Sequence, residues 1–133
     1  ICTQYLWQLL LNGKSPVFFK ELGRWWGTDP ATHAQTEIDI MGEQDNKTAL
    51  FGECKWRQEP VDVGVLETLV NRSRLFHYSK VELYLIAKIG FTSGCMEQAE
   101  QMGNVHLVTY QDILNALQPE KNNAKKEGTL WRP

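Results

Sequence analysis

The stretch from residue 37 to residue 56 restricts the possible folds more than any other part of the chain. Two segments with alternating side chains, 37–40 (EIDI) and 49–56 (ALFGECKW), flank the turn-forming residues 45–47 (DNK). Successive side chains of a β-strand point to opposite faces of a sheet, and Asp and Asn favour tight turns. The stretch therefore predicts a β-hairpin.

The register of this hairpin brings acidic side chains together. Counting outward from the turn places Asp39 opposite Glu53 and Glu37 opposite Lys55. These side chains are expected on one face of the hairpin, with the two isoleucines of the first segment on the other face. Directly opposed carboxylates repel each other, so an ordinary sheet avoids such a pair.

A bound cation is the simplest compensation for opposed carboxylates. Hard divalent ions such as Mg2+ take one or two carboxylate ligands and keep several waters for a phosphate substrate. Lys55, two residues beyond Glu53, would add a fixed positive charge beside such an ion. An aspartate, a hairpin turn and a Glu-x-Lys sequence are together typical of metal-assisted phosphodiester hydrolysis.

The pattern Asp39…Glu53-Cys54-Lys55 resembles the PD-(D/E)XK nuclease superfamily, the fold of many restriction endonucleases and Holliday-junction resolvases. A longer series of segments is similar to the nuclease-like domain at the C-terminus of archaeal and bacterial P-loop ATPases, over most of residues 5–118. These segments are 23–27 (GRWWG), 37–40 (EIDI), 52–56 (GECKW) and 89–92 (IGFT). The resemblance implies a restriction-endonuclease-like domain.

The resemblance also implies roles for the motif residues. Asp39 and Glu53 would hold Mg2+ or Mn2+, and the main-chain carbonyl of Cys54 is the usual additional ligand. Lys55 would orient the attacking water or stabilise the negative transition state. Relatives often carry another acid near the start of the first helix, whereas residues 1–12 contain none, so that ligand is either upstream or absent.

Two further residues are candidates for accessory roles. Glu37 is a second acidic candidate, or the ion-pair partner of Lys55 in the absence of metal. His33 lies in the polar loop 27–35, just before the acidic strand, and is a candidate substrate contact. The alternative interpretation of all these charged residues is the solvated face of an ordinary hairpin.

Charge is distributed unevenly along the chain, whose net charge is −2. Between residues 71 and 88, four basic residues stand against Glu82 alone. Three of them, Arg72, Arg74 and Lys80, predict a contact with a DNA backbone; the alternative is a solvated helix end. The negative net charge counts against a strong generic affinity for nucleic acid.

The length and composition indicate one folded domain. An apolar fraction of 42% and five tryptophans suit a globular protein of 133 residues. No apolar run approaches the ~20 residues that span a bilayer, and no signal peptide is visible. The three cysteines lack CxxC spacing, which favours a reducing cytosol and gives no zinc site. Because the chain begins at Ile1, we expect a fragment of a longer cytoplasmic protein.

Hydrophobic periodicity predicts the element order α-β-β-β-α-β-α-β-α, and therefore a three-layer α/β/α domain with a mixed central sheet. The first strand is expected from residue 17 to 19. It continues or bends through Trp25 and Trp26, whose rings favour core and rim packing over stacking on a splayed base. Asp62 and Ser93 are the expected N-caps of the second and third helices.

The resulting expectation is an N-terminally truncated, nuclease-like domain over residues 1–118. A charged, mobile tail is expected over residues 119–133, with Trp131 docking on the domain or on a neighbour. The domain would be a divalent-metal-dependent DNA endonuclease attached to the ATPase domain of its parent chain. Its expected partners are DNA and that ATPase, with no membrane and with a homodimer left open. The alternative is a non-catalytic module that binds DNA or a partner protein for the ATPase.

Overall fold

A mixed five-stranded β-sheet lies at the centre of the fold, in a computed structural model that describes residues 1–118. In chain order the elements are α1 (Cys2–Leu11), β1 (Gly23–Thr28), β2 (Gln35–Glu43), β3 (Thr48–Lys55), α2 (Val63–Ser73), β4 (Lys80–Ala87), α3 (Ser93–Met102), β5 (Val105–Thr109) and α4 (Tyr110–Leu117). A short 3-10 turn, Arg74–Phe76, follows α2. The predicted order of helices and strands is confirmed. The expected tail, residues 119–133 with Trp131, lies outside the described residues.

The strands lie in the sheet in the same order as in the sequence. Strands β1, β2 and β3 form an antiparallel meander, and β4 and β5 add to it in parallel. The β3–β4 register pairs Thr48 with Lys80 and Lys55 with Ala87. The C-terminal ends of β3 and β4 therefore lie side by side, and the predicted mixed sheet is confirmed.

Helices cover both faces of the sheet, as the three-layer prediction requires. One apolar cluster joins the sheet to α1 and α4, and its members include Leu6, Leu50, Ile86 and Ile113. The opposite cluster joins the sheet to α2 and α3, and its members include Leu66, Leu85, Cys95 and Ala99. We call these sides the α1/α4 face and the α2/α3 face. No helix within residues 1–118 is long and apolar enough to cross a membrane.

The β2–β3 hairpin has the register that its turn predicts. The Gln44 N–H donates to the Thr48 carbonyl at 3.0 Å, and the Asp45 carboxylate accepts from the Lys47 N–H. The paired residues are Glu43–Ala49, Met41–Phe51, Gly42–Leu50 and Ile40–Gly52. The ladder ends at this last pair. The expected pairs of Asp39 with Glu53 and of Glu37 with Lys55 are therefore not part of it.

A β-bulge in β2 changes which face its side chains occupy. Asp39 and Ile40 together lie opposite the single residue Arg24 of β1, because the β1–β2 register shifts there. Ile38 packs in the cluster on the α2/α3 face, whereas Ile40 packs on the α1/α4 face and over Gly52. The prediction that both isoleucines share one face is wrong, because the extra residue interrupts strand alternation.

The segment before β1 is irregular, although its apolar run predicted a strand. Val17 and Phe19 are buried in the α1/α4 cluster, while Phe18 is exposed. The Phe18 N–H donates to the side-chain oxygen of Gln44 at 2.8 Å. The segment therefore packs apolar side chains on the core and bonds to a side chain rather than to a neighbouring strand.

Side-chain caps fix the starts of the later helices. The Asp62 carboxylate accepts from the Val65 N–H, which confirms the predicted N-cap of α2. Helix α3 is capped by Thr92, whose hydroxyl accepts from the Cys95 N–H, and not by Ser93 as expected. The prediction is wrong by one residue, because Thr92 has the extended backbone of an N-cap and Ser93 is already helical.

Candidate active site

Glu53 is the buried polar centre of the hairpin. It lies near the end of β3 with only 6% of its surface exposed. Lys55 Nζ lies 3.1 Å from Oε1, and Arg72 Nη1 of α2 lies 4.0 Å from Oε2. Oε2 is buried without a hydrogen-bond partner. A buried carboxylate oxygen without a partner is costly, which makes Glu53 incompletely satisfied by the protein itself.

The electrostatic surroundings of Glu53 oppose its ionisation. Burial raises the pKa of this carboxyl, and the negative charge of Asp39 raises it further. Lys55 and Arg72 act in the opposite direction but do not cancel the effect on the pKa. A raised pKa in a cleft with specific charged neighbours is a property of functional carboxylates.

Replacing Glu53 with glutamine should raise the melting temperature at pH 7 in EDTA. Because the pKa of folded Glu53 is raised, its protonated form contributes stability below the ordinary value of 4.5, and this stability is lost as the pH rises. The gain from Glu53→Gln should therefore be largest at neutral pH and should disappear toward pH 4. Thermal unfolding from pH 4 to 8 measures this. Glu37→Gln, at an exposed ion pair, is the control, and a less stable Glu53→Gln protein at pH 7 would contradict the expectation.

Asp39 lies at the bulge, where β2 and β3 separate. Its Oδ2 accepts from the Cys54 N–H at 3.2 Å, so the carboxylate is attached to the backbone between the two motif side chains. Asp39 also lines an open cavity of about 340 Å³ together with Arg24, Cys54 and Trp56. The bulge thus directs this carboxylate toward a space that a ligand can enter.

The sequence predicted that the motif residues share one face of the hairpin. This prediction is wrong. Glu53 and Lys55 continue the alternation of Phe51, which is buried on the α2/α3 face. Asp39 lines its cavity with Cys54, which packs on the α1/α4 face. The bulge explains the difference, because the extra residue in β2 shifts the alternation of its side chains and places Asp39 on the other face from Glu53. The two carboxylates still interact, since the charge of Asp39 raises the pKa of Glu53.

The start of α1 lies beside this cavity. Interaction between the Cys2 and Cys54 thiols lowers the pKa of Cys2 and, together with burial, raises that of Cys54. Ile1 and Thr3 also line the cavity. The resemblance expects an additional acid near this end of the first helix, and residues 1–12 supply none.

The accessory candidates occupy different surroundings. Glu37 is paired with Arg24, whose Nε lies 3.6 Å from Oε1, so the suggested pairing of Glu37 with Lys55 is wrong: Lys55 is held by Glu53. His33 lies in the loop between β1 and β2, with a left-handed backbone (φ 59°), and its N–H donates to the Asp29 carbonyl.

The three predicted DNA-binding residues do not form one cluster. Arg72 reaches Glu53, whereas Arg74 lies in the 3-10 turn that follows α2. Lys80 begins β4, whose eight residues to Ala87 span about 23 Å of strand. Lys88, just after the other end of β4, lies beside the candidate site, since its N–H donates to the Lys55 carbonyl.

Two residues that were not predicted as site residues lie at the cavity. Arg24 faces Asp39 across the bulge, and Trp56 follows Lys55 directly. The only signal for them was their place in the GRWWG and GECKW segments. Trp25 packs against Phe76 in the core, as expected, while Trp26 is 66% exposed.

Within residues 1–118 no group of three or more His, Cys, Asp or Glu side chains has an arrangement suited to a metal ion. In the described part of the chain, the acidic side chains of the candidate site are therefore only two, Asp39 and Glu53, and both have cationic neighbours. The fold and site define an α/β domain that carries two interacting carboxylates and a lysine at one end of a mixed sheet.

The chain belongs to DUF234, a family described as archaea bacterial proteins of unknown function. The family profile matches residues 1–72, which is more than half of the 133 residues. No curated protein matches the sequence.

Two solved structures resemble the fold. A protein of unknown function, AF1548, is 16% identical, with a TM-score of 0.53 over 90% of this chain and 65% of that one. A repair endonuclease from Pyrococcus abyssi is 17% identical, with a TM-score of 0.45 over 81% of this chain and 43% of that one. The chain therefore spans less than two thirds of the length of either protein. The similarity to AF1548 shows a shared fold.

Proposed function

We propose that this domain is a divalent-metal-dependent DNA endonuclease that hydrolyses phosphodiester bonds. The observation that carries the proposal is Glu53, a buried carboxylate with an unpartnered oxygen, a raised pKa and Asp39 as a repelling neighbour. Lys55 lies within 3.1 Å of the same carboxylate. An ordinary hairpin face would leave these charges solvated, and Glu53 is not.

The residues present fit a hard divalent cation. Asp39 and Glu53 would hold Mg2+ or Mn2+, with the main-chain carbonyl of Cys54 as a further oxygen ligand. Such ions accept carboxylate, carbonyl, water and phosphate oxygens, so two carboxylates suffice when substrate and water supply the rest. When bound, the ion would lower the pKa of a water and neutralise charge on the phosphate.

The chain's own cations would act on the reacting phosphate. Lys55 is about one-third exposed, so its ammonium can donate to a phosphate oxygen or to the attacking water while it stays beside Glu53. It would thereby stabilise negative charge that develops in the transition state. Arg72 lies on the other side of Glu53 and adds a second positive charge at this end of the sheet.

We further propose that the domain is attached to an ATPase in its parent protein, and that its partners are DNA and this ATPase domain. The support is the similarity of the four segments GRWWG, EIDI, GECKW and IGFT to domains found in that context. The second candidate function is a non-catalytic module that recruits DNA or a partner protein. The net charge of −2 favours it, because a nuclease that binds DNA by itself usually has a basic surface.

A cleavage assay separates the two candidates. Duplex, branched and single-stranded DNA would each be incubated with the protein in Mg2+, Mn2+, Ca2+ or EDTA. The endonuclease proposal expects cleavage in Mg2+ or Mn2+, none in EDTA, and loss of cleavage in Asp39→Asn and Glu53→Gln. Intact DNA under all conditions, with the full-length parent also tested, would favour the recruitment module.

DNA binding should be weak and moderately salt-dependent. Four cations of residues 1–118 that lie at the site end of the sheet are Arg24, Lys55, Arg72 and Lys88. About four phosphate contacts give a slope of roughly −3 to −4 for log affinity against log salt. Arg72→Ala should weaken binding and reduce the slope by about one, while Lys80→Ala, at the far end of β4, should change neither. A much steeper slope would reveal a larger basic surface elsewhere.

A further inference from the structure

An exposed aromatic pair borders the candidate active site. Trp56, the residue after Lys55, keeps 47% of its surface exposed, and Tyr110 at the start of α4 keeps 37%. Their rings meet edge to face, with centroids 5.3 Å apart and planes at 79°. This contact orients the indole while much of its surface stays open to solvent.

The aromatic pair lies at the cavity that Asp39 lines. Trp56 lines the same cavity of about 340 Å³ as Asp39, and it is joined to Lys55 by one peptide bond. Arg24 forms another part of the cavity wall. The carboxylate of Asp39, a guanidinium for a phosphate and an aromatic ring for a base therefore line one cavity.

We propose that Trp56 stacks on an unpaired base of the DNA substrate, so that the substrate contains single-stranded nucleotides beside the scissile phosphate. This rests on the proposed nuclease function and specifies its substrate class. Bases inside a continuous duplex are stacked on each other and offer no free ring face, whereas an unpaired base offers both faces to an aromatic side chain.

The net charge of the protein also favours a single-stranded substrate. A net charge of −2 counts against the broad basic surface that holds duplex DNA through its phosphates. Stacking supplies affinity that does not depend on phosphate neutralisation, and it accepts any base. Arg24, although paired with the half-exposed Glu37, lies within reach of the same strand to contact its phosphates.

Binding in EDTA tests this proposal apart from catalysis. Fluorescence anisotropy would follow a labelled strand of about 12 thymidines, a length within the usual range of single-strand sites, and a blunt duplex of equal length. Trp56→Ala should weaken binding of the single strand by about 5- to 150-fold, the range expected for one lost stack, and leave binding of the duplex unchanged. Phe18→Ala is the matched control, because Phe18 is exposed beside Gln44 at the turn end of the hairpin.

Trp56→Phe provides a second test that does not depend on Trp56→Ala remaining folded. Phenylalanine keeps a stacking surface, so most of the affinity should be retained. Adding the thymidine strand should quench the tryptophan fluorescence of the wild type, and this quenching should be lost in Trp56→Phe. Full quenching in Trp56→Phe, or equal affinities for Trp56→Ala and Phe18→Ala, would overturn the proposal. The binding assay contains no metal, so its result does not depend on catalysis. If single-strand binding depends on Trp56 but the protein does not cleave DNA in Mn2+, the nuclease proposal is rejected and the base contact is retained.

Discussion

Replacing Lys55 with alanine should lower metal-dependent DNA cleavage by about 10²–10³-fold, which would abolish detectable product in a standard assay. The ammonium of Lys55 lies 3.1 Å from the buried carboxylate of Glu53 and remains partly exposed. It is therefore the group best placed to stabilise negative charge on a phosphate bound through the proposed metal ion at Asp39 and Glu53. Rates measured on a labelled substrate in Mg2+ and Mn2+ would show the effect.

Lys55→Ala should lose cleavage activity because the reaction is impaired, and not because the protein fails to fold. Lys55 is at the end of β3 and belongs to none of the apolar clusters that residues 1–118 form on the sheet. Circular dichroism should therefore remain close to that of the wild type, while the melting temperature should fall at neutral pH because Glu53 loses its 3.1 Å partner. Lys80→Ala is the matched control, since Lys80 lies at the opposite end of the parallel β3–β4 pair. Undiminished cleavage by Lys55→Ala would refute the role given to this lysine.

Mn2+ or Mg2+ should raise the melting temperature of the wild-type protein by about 5–12 °C at a hundredfold excess over the dissociation constant. A ligand that binds only the native state stabilises it by about 2.7 kcal/mol at this excess. For a domain of this size that free energy corresponds to the stated shift. The cation also removes the repulsion between Asp39 and Glu53 that raises the pKa of Glu53.

Asp39→Asn should lose most of this metal-induced rise. In EDTA the variant should melt no lower than the wild type, because the substitution removes a charge that opposes the ionisation of Glu53. Glu37→Gln should keep the full rise, since Glu37 is paired with Arg24 at the surface. A flat thermal-shift titration up to millimolar Mn2+, or equal shifts for the wild type and Asp39→Asn, would be incompatible with a metal at Asp39.

Local patterns were sufficient for the order of elements and for the hairpin. Strand alternation and the turn residues 45–47 predicted the β2–β3 register, because both act over a few neighbouring residues. Asp62 was recognisable as an N-cap for the same reason. The apolar run 83–87 (LYLIA) is typical of a strand covered on both faces, and these residues of β4 are buried.

The arrangement of the site depended on contacts between distant parts of the chain. The bulge at Asp39 and Ile40 arises from pairing with β1, so hairpin alternation alone placed Ile38 and Asp39 on the wrong faces. The apolar run 17–19 resembles a strand locally, but the Phe18 N–H is bonded to the side chain of Gln44.

The sequence by itself determined the element types, their order, the hairpin register and the candidates Asp39, Glu53 and Lys55, since each follows from short-range periodicity, turn chemistry or motif spacing. Only the tertiary structure decided which charges meet. Packing of α2 brings Arg72 to Glu53, and the parallel β3–β4 pair carries Lys80 to the far end of the sheet. Burial then leaves one oxygen of Glu53 without a partner. These features depend on how helices and strands pack across the sheet, which no local pattern in the chain encodes.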